Sequence, residues 1–171
     1  MTRWWLLGIA VLTLAVGLGA GPGAIQAVRG SDVPTTGQRL DGTWLITANL
    51  ESAPPGVPLT FTTLNTFMAD GAFIEAGGPA SPTRTPIGHG QRVRAGDRLF
   101  TATFTFLTFD AQGAQTGMQQ ITRSIRVSED LQAFRAVSRN ERFDLEGKLV
   151  FSGGATETAR RLAIGDPPPA P

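Results

Sequence analysis

From Phe100 to Phe106 apolar and polar positions alternate without a break: Phe100, Ala102, Phe104 and Phe106 fall on one face, Thr101, Thr103 and Thr105 on the other. A period of two, carried by aromatic and β-branched residues, is the pattern of a half-buried strand. Strand-like segments recur along the chain and predict eight strands, over residues 43–51, 59–68, 72–76, 89–94, 98–109, 117–127, 132–143 and 148–158. Turn signals stand between them at Pro54-Pro55-Gly56, Ala69-Asp70-Gly71, Ala95-Gly96-Asp97, Asp110-Ala111-Gln112-Gly113, Ser128-Glu129-Asp130 and Asp144-Leu145-Glu146-Gly147. A loop over 77–88 is stiffened by Pro79, Pro82 and Pro86. No helix-length pattern intervenes, so the chain reads as an antiparallel meander. A meander of this many strands removes its exposed edges by closing. Several strands reach ten residues or more, ~33 Å at about 3.3 Å per residue, which suits a steeply wound barrel better than a small sandwich. The expected fold is all-β: a single eight-stranded antiparallel up-and-down barrel over 40–164, one domain of a size that can enclose a core.

The ends read differently. Met1-Thr2-Arg3 gives a short positive start, residues 4–20 carry no charge, and Gly21-Pro22-Gly23 breaks any helix before small residues lead to Ala27. That is the layout of a secretory signal peptide over 1–27, cut after Ala27 or, alternatively, after Ala20. The same run is just long enough to remain as an uncleaved membrane anchor. Either way the folded part is expected outside the cytoplasm, secreted or in the cell envelope. Residues 28–39 are polar and aperiodic and read as a flexible leader; 165–171, rich in proline, read as a disordered tail.

Charge and composition remove several classes. Without Arg3, 14 basic residues face 14 acidic ones, so neither a polyanion nor a charged membrane surface is an expected partner. The arginines are scattered and lack interleaved aromatics, which argues against nucleic acid. There is no cysteine, hence no disulfide and no thiol chemistry. His89 is the single histidine and no acidic cluster has ligand spacing, so no metal site and no cofactor is expected. No serine lies in a Gly-x-Ser-x-Gly elbow, no nucleotide-binding fingerprint occurs, and no catalytic residue is assigned. His89 has two readings, a proton-transfer group over an interior cavity or a structural residue bonded to the loop backbone.

Gly42-Thr43-Trp44 opens the first strand and Arg161 follows the last. In this the chain resembles the lipocalins and the wider calycin superfamily, which begin with Gly-x-Trp and set a late basic residue against that Trp. The resemblance implies barrel closure by Gly42, Trp44 and Arg161, with Arg160 as the alternative cation: the Trp ring plugs one end and a guanidinium stacks on it. Residues 40–162 also look like uncharacterised secreted bacterial β-barrel proteins, through Gly42-Thr43-Trp44, Asp70-Gly71, Gly88-His89-Gly90 and Phe109-Asp110-Ala111-Gln112-Gly113. An allene-oxide-cyclase-type barrel is a near neighbour. The chain departs from typical lipocalins in having no disulfide, no long helix after the barrel and no tyrosine.

An eight-stranded barrel is either filled by its side chains or hollow enough for one small ligand. The candidate lining is Trp44, Phe61, Asn65, Phe100, Phe104, Phe106, Ile121 and Arg123, with Ile46, Leu59, Phe67 and Phe151 on the same apolar faces. An inward Arg123 needs a carboxylate, which Glu75 or Glu157 can supply, and such a pair would anchor a ligand. In the other register Arg123 faces solvent, because a slip of one residue exchanges the faces. Three functions follow: a secreted monomeric or dimeric protein binding a small hydrophobic ligand, as the resemblance implies; a cyclase or isomerase; or a solid-cored module of the cell envelope.

Overall fold

The computed structural model of the chain describes residues 40–53, 57–79 and 87–166. The expected signal segment, leader, Pro54-Pro55-Gly56 turn, most of the 77–88 loop and the end of the tail lie outside the described residues. Eight strands follow in chain order: β1 (Gly42–Leu50), β2 (Thr60–Phe67), β3 (Ala72–Gly77), β4 (Gly88–Gly96), β5 (Leu99–Phe109), β6 (Gln115–Val127), β7 (Ala133–Phe143) and β8 (Leu149–Arg161). Each pairs antiparallel with the next and β1 pairs with β8, so the sheet closes into an up-and-down barrel without helices among the described residues.

Aspartates organise the tight turns after β5 and β7. Asp110 Oδ1 accepts the amides of Gln112 and Ala114, both at 2.9 Å, and Asp144 Oδ1 accepts those of Glu146 at 3.2 Å and Lys148 at 2.8 Å. These side chains stand in for backbone partners that the turn residues would otherwise lack. Most strand starts differ from expectation by one or two residues, and at two of them the backbone shows why. Arg98 and Leu131 sit in the left-handed region, at φ of 55° and 61°, and belong to the turns; β5 and β7 begin only after them. The last strand runs three residues further than its pattern suggests, so Arg161 is its final residue rather than one beyond it.

The alternation places Phe100, Ala102, Phe104 and Phe106 inward, all buried. One end of the barrel is packed solid. Trp44, fully buried, lies 5.0 Å from the Phe134 ring, and its indole N–H donates to the Leu40 carbonyl at 2.8 Å. The Arg161 guanidinium stacks over the Trp44 ring at 4.3 Å, while its nitrogens donate to the carbonyls of Leu131 and Asp41. Asp41 also binds Arg92 through its carboxylate, and Arg92 lies 5.5 Å over Phe100. Two arginines held by one aspartate therefore close this end. Asp41 and Arg92 were absent from the sequence expectation, since their partners stand far off in the chain.

A run of rings, Phe67 to Phe73 at 4.8 Å, Phe73 to Phe104 at 5.6 Å and Phe104 to Phe106 at 6.2 Å, continues the core along the β2–β5 wall. This explains Gly88-His89-Gly90. Both glycines face inward, where a Cβ on Gly88 would lie 2.7 Å from Phe104 Cδ2 and one on Gly90 2.6 Å from Phe104 Cβ. His89 points outward and is exposed. Leu59, expected on the inner face, lies before β2 and is 53% exposed.

Gly90→Ala is expected to destabilise the protein by about 1–3 kcal/mol in urea unfolding, the cost of forcing a methyl into a filled core, against the small gain that alanine brings by restricting the unfolded chain. The exposed neighbour changed by Gln91→Ala should stay within about 0.5 kcal/mol of the parent. Equal stability of the two variants would show that the rings do not fill this space.

Candidate functional site

Halfway along the barrel four polar side chains meet in an apolar surround. Arg123 on β6 and Glu157 on β8 are each 3% exposed, Glu75 on β3 is 7% exposed, and Asn65 on β2 is fully buried. Arg123 Nη2 donates to Glu75 Oε2 at 2.6 Å and Nη1 to Asn65 Oδ1 at 2.7 Å. Its Nε donates to Glu157 Oε1 at 3.0 Å and stands 2.9 Å from Oε2, only the first contact having hydrogen-bond alignment. Asn65 Nδ2 donates to Glu75 Oε2 at 2.6 Å. Arg123 Cζ lies over the Phe104 ring, 4.5 Å from its centroid. Arg123 thus faces inward, and of the two registers left open by the sequence this is the one adopted. Both carboxylates take part, not one of them.

Neighbouring strands make room for these long side chains. Glu157 stands directly between Ala48 and Ala136, Arg123 between Ala102 and Ser138, and Glu75 beside Gly88. Directly opposed residues have Cβ atoms only about 4.5–5.5 Å apart, so small partners leave the barrel's cross-section free for a side chain to reach its centre.

The charges do not cancel within the cluster: one guanidinium faces two carboxyl groups. Burial is the largest influence on Glu75 and pushes its pKa above the usual carboxylate value; Arg123 and Asn65 pull it back in part, and Glu157 adds to the rise. Burial alone would lower the Arg123 pKa, but the two carboxylates outweigh it and hold the guanidinium protonated above its ordinary range.

Above the cluster the interior is hollow. A cavity of about 370 Å³ opens toward the end opposite Trp44. Its apolar wall includes Leu50, Phe61, Phe106, Phe109, Ile121 and Phe151, its polar positions Ser52, Thr108, Gln119, Asn140 and Arg142, and Glu75 reaches it from the cluster. Of the residues expected to line a cavity, Phe61, Phe106, Ile121 and Phe151 do so. Asn65, Phe104 and Arg123 form the layer beneath, and Trp44 and Phe100 belong to the packed end, because the barrel is filled along half its length and an inward direction alone does not bring a side chain to the hollow. His89, on the outer face of β4, cannot act over the cavity. Asn140 and Arg142 were missed, although the alternation of β7 puts them on the same face as Phe134 and Ala136. Among the described residues no group of three His, Asp or Glu side chains gathers as around a metal ion. Comparison of the chain with protein-family models and with curated proteins finds no match in either case.

Arg123→Met should destabilise the protein by about 3–5 kcal/mol at neutral pH, because it strands two buried carboxylates, and by less in acid, where they can protonate. Glu75 carries the opposite sign from an ordinary ion-paired carboxylate. Its raised pKa means that the folded state keeps the proton to higher pH than the unfolded chain, so its contribution favours folding in acid and is lost as pH rises above 4.5 through the folded value. Glu75→Gln, unable to ionise, should therefore gain stability relative to the parent between about pH 4 and about pH 7 in urea titrations. A relative loss over that range would mean that Arg123 depresses the Glu75 pKa.

Proposed function

We propose that this protein binds one small, largely apolar molecule in the open half of its barrel. The observation that supports this reading is the unfilled interior: about 370 Å³ lies above the polar cluster, in a barrel whose other half is tightly packed. Ligand pockets commonly begin at about 300 Å³ and combine an apolar wall with a few fixed polar groups. Phe61, Phe106, Ile121 and Phe151 supply the wall here, and Glu75, immobilised by Arg123 and Asn65, supplies a polar group at the floor. The calycin resemblance of Gly42, Trp44 and Arg161 favours the same function, and the N-terminal pattern favours a secreted or envelope location. A hollow of this size speaks against a solid-cored envelope module. The cyclase or isomerase reading keeps one supporting observation, a carboxyl group with a raised pKa beside an apolar cavity, a position from which a proton can be given or taken.

Titration calorimetry of the full chain with a panel of small apolar compounds should find saturable one-to-one binding. Ile121→Trp, which fills the cavity, should weaken it by about tenfold or more while the thermal transition remains cooperative. No saturable binding across the panel, or unchanged binding to the filled variant, would contradict the proposal. Conversion of a bound compound would move the reading to the enzyme.

A further inference from the structure

We propose that the ligand is a small lipophilic amine, seated with its ammonium group on Glu75 and its apolar part against Phe61, Phe106 and Ile121. The inference rests on the binding function above and adds the charge of what is bound. Glu75 Oε2 is fully used, accepting from Arg123 and Asn65, whereas Oε1 accepts no hydrogen bond among the described residues and its side chain forms part of the cavity wall. The cation nearest to Glu75 is already divided: Arg123 donates to Glu157, Asn65 and Glu75, and does not reach the wall. With both carboxylates ionised the cluster holds one negative charge in excess, in surroundings where an uncompensated charge is costly. An ammonium at Oε1 removes the excess and makes a charge-assisted hydrogen bond. A neutral alcohol cannot remove it, and a carboxylate would add a second like charge.

The other charged group of the cavity wall is Arg142, whose Nη2 donates to the Thr116 hydroxyl at 3.1 Å. It stands toward the mouth, one inward position beyond Asn140 on β7, and repels a cation there while Glu75 attracts it at the floor. The two charges therefore orient an amine head-down. The burial that raises the Glu75 pKa is what makes its ionised form costly until a further cation is bound.

Titration calorimetry of the full chain at neutral pH with octylamine, octanol and octanoate tests the proposal. Octylamine should bind about tenfold or more tighter than octanol, with octanoate weakest. Glu75→Gln should abolish the preference, so that octylamine binds no tighter than octanol. Glu157→Gln removes the excess charge without touching the cavity wall and should also reduce the amine preference. Cooperative thermal unfolding of both variants shows that they are folded. The proposal is overturned if octylamine binds no tighter than octanol, or if the preference survives both substitutions. Tightest binding by octanoate also overturns it and would put the head group at Arg142. In these cases the binding function stands; saturable binding of none of the three removes the binding function, and the amine with it.

Discussion

One guanidinium shared between two carboxylates, halfway along a closed barrel, sets the terms for the rest of this structure. Arg123 joins β6 to β8 through Glu157, to β3 through Glu75 and to β2 through Asn65. Buried charges of this kind are seldom a net source of stability, because desolvation consumes most of what the pairing gains. Their effect is on specificity of register. A slip of any of these strands by one residue would turn a charge outward and leave its partner stranded in an apolar core. The cluster also divides the interior. Below it, aromatic rings and the arginine-stacked Trp44 fill the barrel to its end; above it, Phe61, Phe106, Ile121 and Phe151 stand around a space they do not fill, and a cavity results.

The two arginine sites work by different physics. Arg161 and Arg92 lie at the packed end, where each guanidinium lies over an aromatic ring and donates to Asp41 and to a turn carbonyl, that of Leu131 for Arg161 and that of Met68 for Arg92. Arg161, only part-buried, keeps part of its hydration and closes the end at small cost. Arg123 has no such access to water, so every polar contact it makes must come from the protein. That demand accounts for the small residues around it and for the presence of both carboxylates and the amide. It also leaves Glu75 with one oxygen committed and one turned to the cavity, the asymmetry on which the proposed chemistry depends.

Much of this was legible in the sequence. Strand alternation, aspartate-led turns and the absence of helical periodicity lead to the barrel, and all eight strands lie within a few residues of their expected bounds. Most boundaries shifted by one to three residues; the starts of β5 and β7 did so beside Arg98 and Leu131, where a left-handed backbone at a residue other than glycine leaves no local signature. Asn65, Glu75, Arg123 and Glu157 stood out as polar interruptions of apolar faces. Which face was inward could not be read from β6 alone, since Gln119 and Arg123 share a face with Ile121 and Ile125. The flanking Ala48, Ala102, Ala136 and Gly88 held the missing signal: small residues facing long charged ones across the sheet mark where those side chains turn inward. The cavity's depth was not encoded locally, because it depends on how far the packed aromatics extend from the other end. His89, singled out by its rarity, has no role over the cavity. It separates two glycines whose lack of side chains, rather than its own imidazole, is what the core requires.

Solvent exchange of the Arg123 guanidinium, followed by proton–nitrogen NMR, tests the buried cluster most directly. Its Nε–H signal, assigned by its absence in Arg123→Lys, should persist at neutral pH and exchange far more slowly than those of the exposed Arg126 and Arg135. Exchange as fast as at those surface arginines would mean that Arg123 is open to water, and that neither the locked register nor the anionic cavity floor exists.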